Sequence, residues 1–284
     1  EGRDEKFSFS HLVPALSEIL GLNLIFVDDC VGEKVKKALD SLGDGRVLLL
    51  ENVRFYKEDA DGDKKFAGKL AENFDIFVNE AFGASHREHA SIVGITDFLP
   101  SFAGLNLQKE IEELDRIREN FERPAVALIG GVKIETKIPV IKFFAEKYDW
   151  VLAGGKIGLE AQNQNISFPS NVILSKDYTG DSLDIGPETI KEFVEILERA
   201  KTVIWNGPMG FFEKSPFEKG TMAVIEAIIG NEAAFKVAGG GETVQVLEKN
   251  NLISRFDFVS TGGGAMLEFL ARGTLPGIEA LKDK

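Results

Sequence analysis

The chain has 284 residues, 44% of them apolar, enough to build one large α/β domain or two smaller ones. Its formal net charge of −13 argues against non-specific nucleic-acid binding and disfavours anionic substrates outside a local basic cleft. No apolar run approaches the roughly 20 residues that cross a bilayer, and the single cysteine, Cys30, excludes an internal disulfide, so a soluble, cytoplasmic protein is the expectation.

In chain order, strand-like apolar runs fall at 22–27, 46–50, 76–79, 125–129, 150–153, 171–174, 202–205, 233–237 and 256–260. Helical spacing falls between them, at 10–20, 64–73, 138–147, 189–200, 220–229 and 243–249. This alternation predicts parallel sheets wrapped by helices, because near-continuous apolar strands are what burial on two sides requires. The fold class is α/β, read as two Rossmann-like lobes whose parallel sheets are flanked by helices. Residues 107–122 carry apolar positions three and four apart among many charges, and are expected to form a helix joining the lobes. Arg123-Pro124 then restarts the chain into the next strand.

Three glycine clusters each follow a strand-like run and precede helical spacing: Gly130-Gly131-Val132-Lys133, Gly239-Gly240-Gly241-Glu242-Thr243 and Thr261-Gly262-Gly263-Gly264-Ala265. Glycine lets backbone approach a ligand closely, and the first amides of the following helix present unpaired N–H groups and a positive dipole end. Such turns hold phosphate. No Gly-x-Gly-x-x-Gly follows a strand and no Gly-x4-Gly-Lys-Ser/Thr occurs, which disfavours a nicotinamide dehydrogenase or a P-loop enzyme.

Ligands of open parallel sheets collect beyond the carboxyl ends of the strands. After 46–50 comes Glu51-Asn52-Val53-Arg54, after 76–79 come Ser85-His86-Arg87-Glu88-His89, and after 202–205 come Asn206-Gly207-Pro208 and then Glu213. An arginine grips carboxylate or phosphate as a two-pronged fork, so Arg54 and Arg87 suit a small phosphorylated acid. His86-x-x-His89 has no third ligand nearby for a metal, and hydrogen bonding to substrate or to a structural carboxylate is the expectation.

Glu51 to Tyr56, Asn79 to Ser91, Gly130 to Ile138, Leu183 to Pro187, Trp205 to Glu213, Gly239 to Thr243 and Ser260 to Ala265 together resemble phosphoglycerate kinase, over nearly the whole chain. The resemblance implies a two-lobed kinase moving a phosphoryl group between 1,3-bisphosphoglycerate and Mg-ADP, giving 3-phosphoglycerate and Mg-ATP. It implies an acid-binding lobe at 1–106, a joining helix at 107–122, a nucleotide lobe at 123–264, and a segment 265–284 returning to the first lobe. Arg54, His86 and Arg87 would bind the acid. Lys133 and the amides of Gly241 and Gly264 would face the transferred group. Gly131, Lys133, Lys137, Gly154, Gly155, Leu183, Asn206, Pro208, Glu213, Gly240, Gly241, Glu242 and Thr243 would bind nucleotide, with Leu183 against the adenine and Glu213 on the ribose. Glu242 would hold Mg2+. The expected partners are 3-phosphoglycerate and ADP or ATP, with no nucleic acid, no membrane and a monomeric state.

Three departures accompany the resemblance. The chain opens at a point that resembles the interior of the family's first lobe, so a fragment is expected, one that binds nucleotide and turns over slowly or not at all. Glu242 stands where the family has aspartate. The stretch between Gly155 and Leu183 is shorter than the family's, and Lys156 at its start is either an extra phosphate contact or surface, with surface the expectation. A catalytically silent nucleotide-binding relative is the alternative reading.

Overall fold

The computed structural model describes residues 2–43, 45–132 and 134–282. The chain divides into two compact units: Glu1–Leu107 with Leu275–Lys284, and Gln108–Thr274.

In the first unit, β1 (Leu24–Val27) pairs in parallel with β2 (Val47–Leu50), and β3 (Phe77–Asn79) in parallel with β4 (Ser101–Ala103). Its core gathers Cys30, Phe66, Ala67, Leu70, Ala71, Ala90 and Ile95. The helix Lys64–Ala71 enters that core behind Asp63, whose carboxylate accepts the Phe66 N–H at 2.7 Å as an N-terminal cap. The start of the helix Leu105–Glu119 is capped from a distance, because Glu80 Oε2 accepts from Asn106 N at 2.9 Å and Leu107 N at 3.1 Å. The last residues of the chain also belong here: Leu275 is 1% exposed and Gly277 N donates to Ser85 O at 2.8 Å. The return to this unit therefore begins at Leu275, whereas the helix Gly263–Arg272 lies within the second unit.

The second unit is built on a six-stranded, all-parallel sheet of order β12-β11-β10-β5-β6-β7. These strands are β5 (Ala125–Ile129), β6 (Trp150–Ala153), β7 (Val172–Leu174), β10 (Thr202–Asn206), β11 (Phe235–Gly239) and β12 (Phe258–Ser260), with a small antiparallel pair, β8 (Tyr178–Thr179) and β9 (Asp184–Ile185), beside them. The chain winds outward from β5 to β7, then returns to the other side of β5 and winds outward again to β12. Every residue of β5 and β10 is buried. Val126, Leu128, Val203 and Trp205 enter one core with Phe193, Leu197, Val224 and Ile228. Their buried alternates Ala127, Ile129 and Ile204 face the opposite side of the sheet. Helix Pro187–Leu197 packs on Lys219–Gly230, and Ile138–Lys147 on Gly263–Arg272.

The predicted alternation is the observed one, with differences at the weak signals. Helix Glu33–Asp40 buries only Val35, and the strands β4, β8 and β9 are two or three residues long, so their apolar periodicity is too faint to read. Strand β11 begins two residues later than expected and includes Gly239, which pairs with Ser260. No helix among the described residues is long and apolar enough to cross a membrane.

Phe193 is fully buried between its helix and the sheet. Replacing it with alanine is expected to cost about 3–5 kcal/mol of unfolding free energy, read from the urea midpoint at constant slope.

Candidate functional site

The winding of the large sheet reverses between β5 and β10, and open α/β sheets bind ligands in the crevice at such a point. A cavity of about 390 Å³ lies there. It is lined by the turn after β5 (Gly131, Val132), the turn after β6 (Gly155, Lys156), Ser182 and Leu183 ahead of β9, the run Pro208 to Glu213 after β10, and Glu242 after β11.

Glycine is required where these turns cross. Gly130 N donates to Asn206 O at 2.8 Å, and a Cβ on Gly130 would lie 2.3 Å from Pro208 O and 2.4 Å from Gly207 O. Gly131 N donates to Pro208 O at 3.2 Å, closing the contact. The second and third glycine clusters also touch, since a Cβ on Gly263 would lie 2.4 Å from the Cα of Gly240. Gly240, at φ +108°, opens the helix Gly241–Lys249, and Gly262 opens Gly263–Arg272. Neither helix has a side-chain cap. Gly241 and Gly264 are exposed in these first turns, where amide N–H groups have no partner within the helix.

Side chains beneath the cavity hold the turns in place. Asn206 is 3% exposed; its amide donates to Gly239 O at 2.7 Å and its carbonyl accepts from Lys137 Nζ. Thr243, fully buried, accepts the Gly207 N–H at 2.8 Å. Thr221 Oγ1 accepts from Met209 N at 3.0 Å and Gly210 N at 3.3 Å. The buried carboxylate of Asp184 accepts from Gly220 N at 2.7 Å and Ile185 N at 2.9 Å. Burial pushes its carboxyl above the usual carboxylate range, and these two amides partly oppose the shift. The third cluster is held by Glu110, whose Oε1 accepts from both N and Oγ1 of Thr261 at 2.7 Å.

Of the expected nucleotide residues, Gly131, Gly155, Leu183, Pro208, Glu213 and Glu242 line the cavity. Lys137, Gly154, Asn206, Gly240, Gly241 and Thr243 are not in the lining, and Asn206 and Thr243 use their polar atoms within the protein. Lys133 falls outside the described residues. Lys156, expected at the surface, is instead half-buried in the cavity wall. Sequence reasoning also passed over Glu110, Asp184 and Thr221. Glu110 did carry a signal: it lies on the apolar stripe between Leu107 and Leu114, at a position where a carboxylate must find a partner.

The first unit carries a separate polar cluster. Arg54 and Arg87 are exposed, with Arg54 Nη1 donating to His89 Nε2 at 3.3 Å and Arg87 Nε to His86 Nε2 at 3.2 Å. His89 Nδ1 stands 3.6 Å from Asp59 Oδ2. Burial, reinforced by the Arg54 charge, pushes the His89 imidazole below its usual value despite Asp59, which suits its acceptor role toward Arg54. His86 thus accepts on Nε2, and its buried Nδ1 has no hydrogen-bond partner.

Among the described residues no three His, Cys, Asp or Glu side chains cluster as metal ligands. Glu242 and Glu213 are the carboxylates of the cavity wall. One or two carboxylates, completed by phosphate and water, are a donor set that magnesium accepts and that a structural zinc does not.

These features define an open, doubly wound α/β protein with a glycine-built cleft at its switch point. The family profile described as "Phosphoglycerate kinase" matches residues 1–167 and 159–272. The chain is 39% identical, over an alignment of 332 residues, to "Phosphoglycerate kinase, chloroplastic" of Volvox carteri, covering 100% of this chain and 72% of that protein. It is likewise 39% identical to "Phosphoglycerate kinase" of Nostoc punctiforme, covering 83% of it. Among solved structures, phosphoglycerate kinase from Pyrococcus horikoshii superposes with a TM-score of 0.84 at 28% identity, covering 97% of this chain and 82% of that one. The enzyme from Coxiella burnetii gives 0.78 at 30% identity, covering 99% and 82%. The chain belongs to the phosphoglycerate kinase family.

Replacing Thr243 with valine strands the buried Gly207 N–H and should cost about 1–3 kcal/mol of stability, whereas serine should preserve it; urea titration of both variants distinguishes them. Burial lowers the Lys137 ammonium from its ordinary 10.5 to about 8, with Glu242 opposing. Between those values the unfolded chain holds more protons than the folded one, so this lysine's contribution to stability grows as pH rises. The stability difference between wild type and Lys137→Met should therefore rise by about 3 kcal/mol from pH 8 to 10.5, measured by denaturation across that window.

Proposed function

We propose that this chain catalyses reversible phosphoryl transfer between 1,3-bisphosphoglycerate and Mg-ADP, giving 3-phosphoglycerate and Mg-ATP, with a carboxyl oxygen as acceptor in the reverse direction. The observation that carries the reading is the glycine-built cavity at the switch point, in a chain whose relatives are named phosphoglycerate kinases. In this reading the second unit binds nucleotide against Leu183, Gly155, Pro208 and Glu213. The first unit binds the acid through Arg54, Arg87 and His86, with both arginine side chains exposed. No observation favours the catalytically silent alternative.

The chemistry asks little covalent work of the protein. Transfer between two bound reactants needs alignment and charge neutralisation, so no nucleophilic side chain is required. The first-turn amides at Gly241 and Gly264 are preorganised donors, and each such donor is worth about 3–4 kcal/mol toward developing charge, by analogy with oxyanion holes. In this reading Lys137, which donates to Asn206 and lies outside the cavity lining, adds positive charge toward nucleotide phosphate. Glu242 is the residue that would hold Mg2+, which supplies charge neutralisation of the phosphate oxygens when bound with the nucleotide.

Titration calorimetry is expected to show 3-phosphoglycerate and Mg-ADP binding independently, and ADP is expected to form from Mg-ATP only when the acid is present. Arg87→Ala should weaken acid binding about tenfold or more and leave Mg-ADP untouched. Acid-independent ADP formation, or titrations silent to both ligands, would overturn the reading.

A further inference from the structure

Among the described residues two lysines border the Gly130-Gly131 turn, and they are in different states. Lys137 is engaged, its ammonium donating to Asn206. Lys156 lines the cavity half-buried, and among the described residues its side chain makes no hydrogen bond, ion pair or ring contact. The two flank the same glycine: Lys156 N donates to Gly131 O at 3.1 Å, and a Cβ on Gly131 would lie 3.7 Å from Lys137 Cε. The carboxylates in the wall, Glu213 and Glu242, are exposed, and neither pairs with Lys156. A lysine in the cavity wall with no counter-charge among the described residues leaves its ammonium available to an anionic ligand in the cavity. Lys156 opens the helix Lys156–Asn163, within which the overlap of the two matched family segments, 159–167, begins.

We propose that Lys156 is a nucleotide-binding residue of this chain that contacts the ligand's phosphate groups and sets affinity by charge. The assignment rests on the nucleotide reading given above. It makes the cavity select for phosphorylated over neutral nucleosides through a cation on the β6 side, in addition to the glycine turns. The residue acts on binding and takes no part in the transferred bond.

The test is calorimetric titration of the full chain with adenosine and with ADP, at low and at high ionic strength, for wild type, Lys156→Met and Lys156→Arg. Lys156→Met is expected to weaken ADP binding about three- to tenfold at low salt, with the difference shrinking as salt screens it, and to leave adenosine binding unchanged. Lys156→Arg should retain wild-type affinity, and a shared thermal midpoint verifies that the variants fold. Equal losses for adenosine and ADP would assign the lysine stem to packing on the base and overturn the proposal. Wild-type ADP binding that Lys156→Met leaves intact also overturns it, while the nucleotide reading stands. A wild-type chain that binds neither ligand removes both.

Discussion

Everything in the second unit depends on two parallel strands meeting where the sheet reverses its winding. The segments leaving β5 and β10 must cross at once, and the crossing is close enough that Gly130 N reaches Asn206 O while Gly207 packs on Gly130. A side chain at either glycine would force the strands apart. Because the crossing is made of backbone, a cleft floored by peptide groups follows, with room left for a ligand of nucleotide size. The neighbouring turns are then drawn to the same rim: Lys156 N anchors the β6 turn to Gly131 O, and Gly263 seats the last cluster on Gly240.

Charge follows the same logic of local exception. The chain is strongly acidic as a whole, and several of its acids are spent on donors within the protein. The buried Asp184 and Glu110 and the exposed Glu80 each accept two donors from turns or helix starts that would otherwise lack partners. In the first unit Asp59 stands behind His89, which in turn receives Arg54, so an acidic residue supports a basic surface. Burial holds His89 and Lys137 below their ordinary values, and both therefore respond to an approaching anion more strongly than exposed groups would.

The parallel strands of the large sheet were legible because burial on both faces writes a continuous apolar run; 125–129 and 150–153 match β5 and β6 residue for residue. The glycine turns were legible for a related reason, since repeated glycine after such a run has few other uses. What escaped was information carried between distant segments. Nothing local distinguishes Thr243 as a support for Gly207 from a threonine facing ligand, and only the fold shows that its hydroxyl is already committed. The sequence leaves Lys156 open between a phosphate contact and the surface, which is where lysine usually lies, and the winding after β6 places it in the cavity wall. In the first unit, Val78 and Phe102 stand 52% and 56% exposed on the β3–β4 pair, which two paired strands are too few to cover.

The commitment of Asn206, Thr243 and Thr221 to backbone partners has one more implication. A receptacle whose struts are already fastened loses little freedom when its guest arrives, so capture there should be limited by encounter and by shedding water rather than by loop ordering. The same fastening ties scaffold and grip together: a change that loosens any strut lowers the melting point and the hold on the guest in one stroke, leaving adjustable tightness to wall residues with no structural duty.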